Sequence, residues 1–118
     1  MLALAAGTMA IYFCIGPTDM RKGFDGLMRL AEQQAARDVL RGGLFIFVNR
    51  RRDRVKLLWW DEDGLAIWYK RLEAGTFEMP VVHKDVKHVS LTPTELSLLL
   101  GGIELASVRR RKRFLQTA

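Results

Sequence analysis

Residues 55–60 and 65–71 are two apolar runs flanking Asp61-Glu62-Asp63-Gly64, and this hairpin limits the fold more than any other segment. Each run is short, rich in β-branched and aromatic types, and closed by turn residues, which is the pattern of paired strands. Gly64 is expected to supply the positive φ of the reversal. Setting Trp60 opposite Leu65 places Leu58 with Ile67 and Lys56 with Tyr69 on one face. The other face then carries Trp59 with Ala66, Leu57 with Trp68, and Val55 with Lys70. Near the turn both faces are apolar, and toward Arg54 both become basic. Antiparallel sheets ordinarily keep one face wet. This one needs cover on both sides, from a helix on each face or from a partner protein on one.

The rest of the chain supplies elements for that cover. Residues 9–15 are an apolar run ended by Gly16-Pro17 and read as a strand. A helix capped by Thr18 or Asp19 is expected to run to about Ala36, with Met20, Phe24, Leu27, Met28 and Ala31 on its apolar stripe. Gly23 and Gly26 each weaken it by roughly 1 kcal/mol relative to Ala, so a close backbone approach, to the sheet or to a ligand, is expected there. Strands follow at 44–48, in the hairpin, at 76–79 before Pro80, and around Val86, His88 and 89–91. Thr92-Pro93-Thr94-Glu95 is a helix start with a capping box, followed by Leu96, Leu99 and Leu100 on one stripe. The expected fold is α+β. It is a single domain with a mainly antiparallel sheet of about five strands, one longer helix after the first strand and one short helix near the C-terminus. At 118 residues, 49% hydrophobic and 27% charged, the chain is long enough for one core. Residues 1–105 are assigned to the domain and 106–118 to a basic tail.

Charge is unevenly spread. Of the net +6, five charges fall on Arg109, Arg110, Arg111, Lys112 and Arg113, while residues 1–108 hold 14 Lys and Arg against 13 Asp and Glu. A second basic segment comprises Arg50, Arg51, Arg52, Arg54 and Lys56. Such runs recruit polyanions through counterion release, and both are read as nucleic-acid contacts, with Tyr69 and Trp60 near enough to stack on bases. A solvated terminus and a soluble hairpin tip are the plain alternatives. Arg21 and Lys22 stand at the expected helix start and are candidate phosphate contacts, against simple capping by Thr18 or Asp19.

Other chemistry finds little support. Cys14 lies within the first strand and reads as core, and a lone thiol fits a reducing compartment. His83 and His88 flank Lys84, Asp85 and Lys87 with no third ligand of suitable type nearby, so a polar hairpin is expected and no metal. Asp61, Glu62 and Asp63 point different ways in a turn, although a divalent ion for phosphoryl chemistry is the alternative there. No nucleophile constellation or acid/base couple is readable, and neither catalytic residues nor a cofactor are assigned. The N-terminal residues lack the basic start of a secretory signal and no window is apolar enough to span a membrane, so a cytoplasmic protein without membrane contact is expected.

Four blocks carry a wider likeness. These are Thr18-Asp19-Met20-Arg21-Lys22-Gly23-Phe24-Asp25-Gly26-Leu27, then Lys56-Leu57-Leu58-Trp59-Trp60-Asp61 with Asp63-Gly64-Leu65. Lys70-Arg71-Leu72-Glu73 with Gly75-Thr76-Phe77 follows, and last Leu98-Leu99-Leu100 with Gly102-Ile103. Together they resemble the second open reading frame of bacterial insertion-sequence-sixty-six elements, the TnpB-type accessory protein. The resemblance implies a product encoded beside a DDE-type transposase and needed for efficient transposition, with the transposase carrying the strand-transfer chemistry. The expectation is therefore a non-enzymatic accessory protein that binds DNA, such as the element ends, through its two basic segments. Trp59, Trp60 and Trp68 would contact the transposase, and a homo-oligomer is kept open. A protein–protein adaptor without direct DNA binding, and a metal-dependent nuclease using Asp61 or Asp63, are the alternatives.

Overall fold

The structure, a computed structural model, describes residues 9–101. In chain order the elements are β1 (Ile11–Cys14), α1 (Phe24–Ala35), β2 (Leu44–Val48), β3 (Arg54–Asp61), β4 (Gly64–Arg71), β5 (His88–Leu91) and α2 (Pro93–Gly101), with a 3-10 turn at Val39–Arg41. The five strands form one sheet in the order β4-β3-β2-β1-β5. β1 and β2 are parallel neighbours and α1 is the crossover that such a pair requires. All other pairings are antiparallel. Every residue of the central strand β2, Leu-Phe-Ile-Phe-Val, is buried, as a strand covered on both faces demands.

The β3–β4 register is the expected one, with Trp60 opposite Leu65, Leu58 opposite Ile67 and Lys56 opposite Tyr69. Both faces are covered by the chain itself. On one side Leu27, Ala31 and Ala35 of α1, with Val39, pack on Phe45, Phe47 and Leu58. On the other, Leu96 and Leu99 of α2 and the buried Phe77 pack on Ile11, Phe13, Ile46 and Leu57, and Trp59 and Trp68 lie against this second cluster. α1 therefore covers the hairpin on one face, while on the other Trp59 and Trp68 stay half-buried against the cluster that holds Phe77 and α2. Gly43 enters β2 at φ +108°, where a Cβ would stand 3.2 Å from both the Tyr12 and Phe45 rings. Those rings stack at 5.2 Å, so the position tolerates only glycine without displacing them.

Four local expectations are corrected. α1 begins at Phe24 with Gly23 as its uncapped N-terminal residue, not at Thr18 or Asp19. The carbonyls of Met20 and Lys22, which an earlier start would commit to the helix, instead accept hydrogen bonds from Lys56 Nζ at 2.7 and 2.9 Å. Phe24 then falls off the apolar stripe and is 48% exposed. A Cβ on Gly26 would meet the Lys22 side chain at 3.2 Å and one on Gly23 would meet nothing within 4 Å, so neither glycine is there for close approach to the sheet. Residues 76–79 form no strand; Phe77 N–H donates a single bond to Arg52 O at 2.7 Å and buries its ring. In the β3–β4 turn the positive φ belongs to Glu62, at 56°, and not to Gly64. The proposed boundary at residue 105 lies outside the described residues.

Candidate nucleic-acid interface

The connection between β2 and β3 is short, polar and tightly built. Asn49 organises it. Its side-chain oxygen accepts from the Asp53 and Arg54 backbone N–H groups at 3.1 and 3.0 Å, and its amide donates to the Asp53 carboxylate at 2.8 Å. Two further bonds anchor the loop from outside: Leu72 N–H to Asp53 O and Phe77 N–H to Arg52 O, each 2.7 Å. The Asn49 bond holds the Asp53 carboxyl below its usual range, aided by Arg51 and Arg54. The loop thus presents Arg50, Arg51 and Arg52 from a fixed backbone, all three exposed. Among the described residues, the ion pairs join Arg21 to Asp19, Arg41 to Asp38 and Arg71 to Glu73, and leave these three arginines out.

Two segments far apart in sequence meet here. Thr18, Arg21, Arg50, Arg51, Arg54 and Tyr69 are among the residues that line one shallow groove of about 410 Å³. Tyr69 stands on the edge strand β4, 47% exposed, and its hydroxyl accepts from Arg54 Nη1 at 3.2 Å. Lys56 is the exception in the basic segment. It is 9% exposed, its ammonium lies 4.7 Å from the centre of the Tyr69 ring, and two of its three donors are spent on Met20 O and Lys22 O. An ammonium held that way is an internal brace, so Lys56 leaves the set of exposed cations. Arg52 turns aside from the groove and, with Arg50, borders an apolar hollow beside Phe13, Ile15 and Met79.

Arg21 and Lys22 do not stand at a helix N-terminus, so the dipole gives no reason to place a phosphate on them. Both are exposed. Arg21 is engaged by Asp19 through its guanidinium, at 2.7 and 3.1 Å, and through its backbone N–H at 2.9 Å. Those hydrogen bonds bring the Asp19 carboxyl down to about 2. Arg109, Arg110, Arg111, Lys112 and Arg113 lie outside the described residues.

The remaining candidates lie outside the groove. Trp59, Trp60 and Trp68 are half-buried, and Trp59 and Trp68 pack against the core. Asp61, Glu62 and Asp63 are exposed at the hairpin tip. His88 Nδ1 donates to Gln34 O at 3.0 Å and its ring meets Tyr12 edge-on, while His83 is exposed. No group of three or more His, Cys, Asp and Glu that could hold a metal ion exists among the described residues. Cys14 is buried, which pushes its thiol up to about 12 and keeps it protonated. No helix among the described residues is long and apolar enough to cross a membrane. Sequence reasoning missed Asn49 and Thr18. An Asn four residues before an Asp, bracketing three arginines, is the signal that could have identified the first; Thr18 has none.

The sequence model of the family described as "IS66 Orf2 like protein" matches residues 9–110. Two Sinorhizobium fredii proteins are similar to the chain. "Uncharacterized protein y4jC" is 36% identical over 95 residues and "Uncharacterized protein y4hO" 33% identical over 94, each match covering 80% of both chains. No solved structure matches.

Proposed function

This chain belongs to the IS66 Orf2-like family, and on that premise we propose that it is a non-enzymatic accessory protein of DNA transposition that grips the phosphodiester backbone. The family supports the transposition role. The observation that carries the DNA contact is the loop of exposed arginines whose backbone Asn49 fixes. A backbone already fixed spares the cost of ordering the loop when its cations meet phosphate, and counterion release supplies the affinity. The element's DDE-type transposase is the proposed protein partner, with Trp60 and the outer edge of β4 as the surface that faces it. A homodimer through the same edge would compete with that contact.

The test is fluorescence anisotropy of the full chain on labelled DNA across a salt series. Affinity should fall steeply and linearly on logarithmic axes. Arg50→Gln combined with Arg51→Gln should lower the slope by roughly 2, at about 0.9 for each duplex phosphate no longer neutralised, without changing the melting temperature. Absence of binding to any DNA at low salt would defeat the proposal and favour an adaptor that meets the transposase alone.

A further inference from the structure

We propose that the groove beside Tyr69 holds an unpaired nucleotide, so that the preferred ligand is single-stranded DNA with a base on the Tyr69 ring and its phosphate among Arg50, Arg51 and Arg54. This rests on the proposed DNA contact and specifies the state of the DNA it takes. A duplex offers a loop of arginines its phosphates but keeps its base faces stacked, out of reach of a tyrosine ring. A single strand offers both. Tyr69 is suited to that second role because its ring is half in water and yet held. Arg54 fixes its hydroxyl at 3.2 Å and Lys56 stands 4.7 Å from the ring centre. Lys56 is fixed in turn by two carbonyls. A ring already immobilised loses little freedom when a base stacks on it, and stacking platforms of this kind are the general device of single-strand binding.

The groove has the charge and size for one nucleotide. Its volume of about 410 Å³ falls within the range of small-ligand sites. Two carboxylates also line it, and both are occupied: Asp19 by Arg21, and Asp53 by Asn49. Neither Arg50 nor Arg51 belongs to an ion pair among the described residues, although Arg51 feels the ionised Asp53 carboxylate. Thr18, 4% exposed, lines the same groove, and its hydroxyl has no hydrogen-bond partner.

The experiment compares the full chain on labelled oligo(dT), on the same strand with abasic sites, on a fully paired hairpin duplex and on oligo(U), at one salt concentration. The native protein should bind oligo(dT) more tightly than the duplex. Abasic sites should weaken single-strand binding roughly tenfold, the lower part of the range for losing one base–aromatic stack. Tyr69→Ala should lose a similar factor on oligo(dT) and little on the duplex or the abasic strand, and Tyr69→Phe should retain tight binding. Equal affinity for single strand and duplex, or indifference of the native protein to abasic sites, would overturn the proposal while leaving the DNA contact standing. The abasic arm needs no variant and so does not depend on Tyr69→Ala folding. Tighter binding of oligo(U) than oligo(dT) would overturn the assignment to DNA. Silence toward every strand would remove the underlying reading as well.

Discussion

Arg54 and Lys56 carry the same charge on the same face of one strand, two positions apart, and meet opposite fates. Arg54 reaches outward to the Tyr69 hydroxyl, while Lys56 turns inward and ties the segment before α1 to the sheet. Charge counted along a sequence therefore overstates what a partner can touch. Arg21 makes the same point in another way, since Asp19 holds it through three side-chain hydrogen bonds. With its pKa lowered from 3.8 to about 2, Asp19 is ionised in the folded protein across the working pH range. Its contribution to stability is present above the unfolded value and is lost only as pH falls through about 2. Acid at ordinary strengths cannot release Arg21, but substitution can. Asp19→Asn keeps an oxygen for the Arg21 backbone N–H and removes the charge that occupies the guanidinium. DNA affinity should rise and the salt slope should steepen by about 1, as read by anisotropy. An unchanged slope would mean that Arg21 does not reach the backbone.

Among the elements, α2 is the one most fully specified by local signals. Thr92 N–H donates to the Glu95 carboxylate at 2.9 Å and Glu95 N–H donates to Thr92 Oγ1 at 3.1 Å, the reciprocal pair expected from four consecutive residues. Thr92→Ala removes one of these bonds and should lower unfolding stability by about 1 kcal/mol, seen as a lower urea midpoint with unchanged slope. A midpoint equal to that of the native protein would show that packing of Leu96 and Leu99 alone holds the helix. The β3–β4 register was legible for a related reason, because a turn with two residues between Asp61 and Gly64 fixes every pairing that follows it. The start of α1 was not legible. It is set by Lys56, 36 residues from Met20, and no capping rule sees a brace that distant. Residues 76–79 have strand composition but join no strand of the sheet, and Phe77 bonds instead to the loop at Arg52. The site divides the same way: exposed arginines at positions 50–52 could be read directly, whereas the meeting of Arg50 and Arg51 with Arg21 and Thr18 across one groove required the fold.

Across the whole molecule the charges are ordered. Acids at Asp61, Glu62 and Asp63 close one end of the hairpin, and arginines at the β2–β3 loop mark the other, roughly 25 Å away along the eight residues of β3 at about 3.3 Å per residue. Such a polarity turns the arginine end toward a polyanion and the acidic end away, which leaves the acidic tip for a different neighbour. If the proposed DNA reading extends to the five cations at 109–113, they would add a second contact with no shape requirement, and two linked contacts on one strand would reinforce each other through effective concentration. Deleting residues 108–118 should therefore weaken single-strand and duplex binding alike and flatten the salt slope by up to about 4.5, at 0.9 per cation on duplex. The preference for single strands should survive, because it resides at Tyr69 and not in the run of arginines. A slope unchanged by the deletion would clear the run of any contact with DNA. Loss of the single-strand preference together with the slope would place the discrimination in the tail, and the groove would then be a phosphate clamp alone.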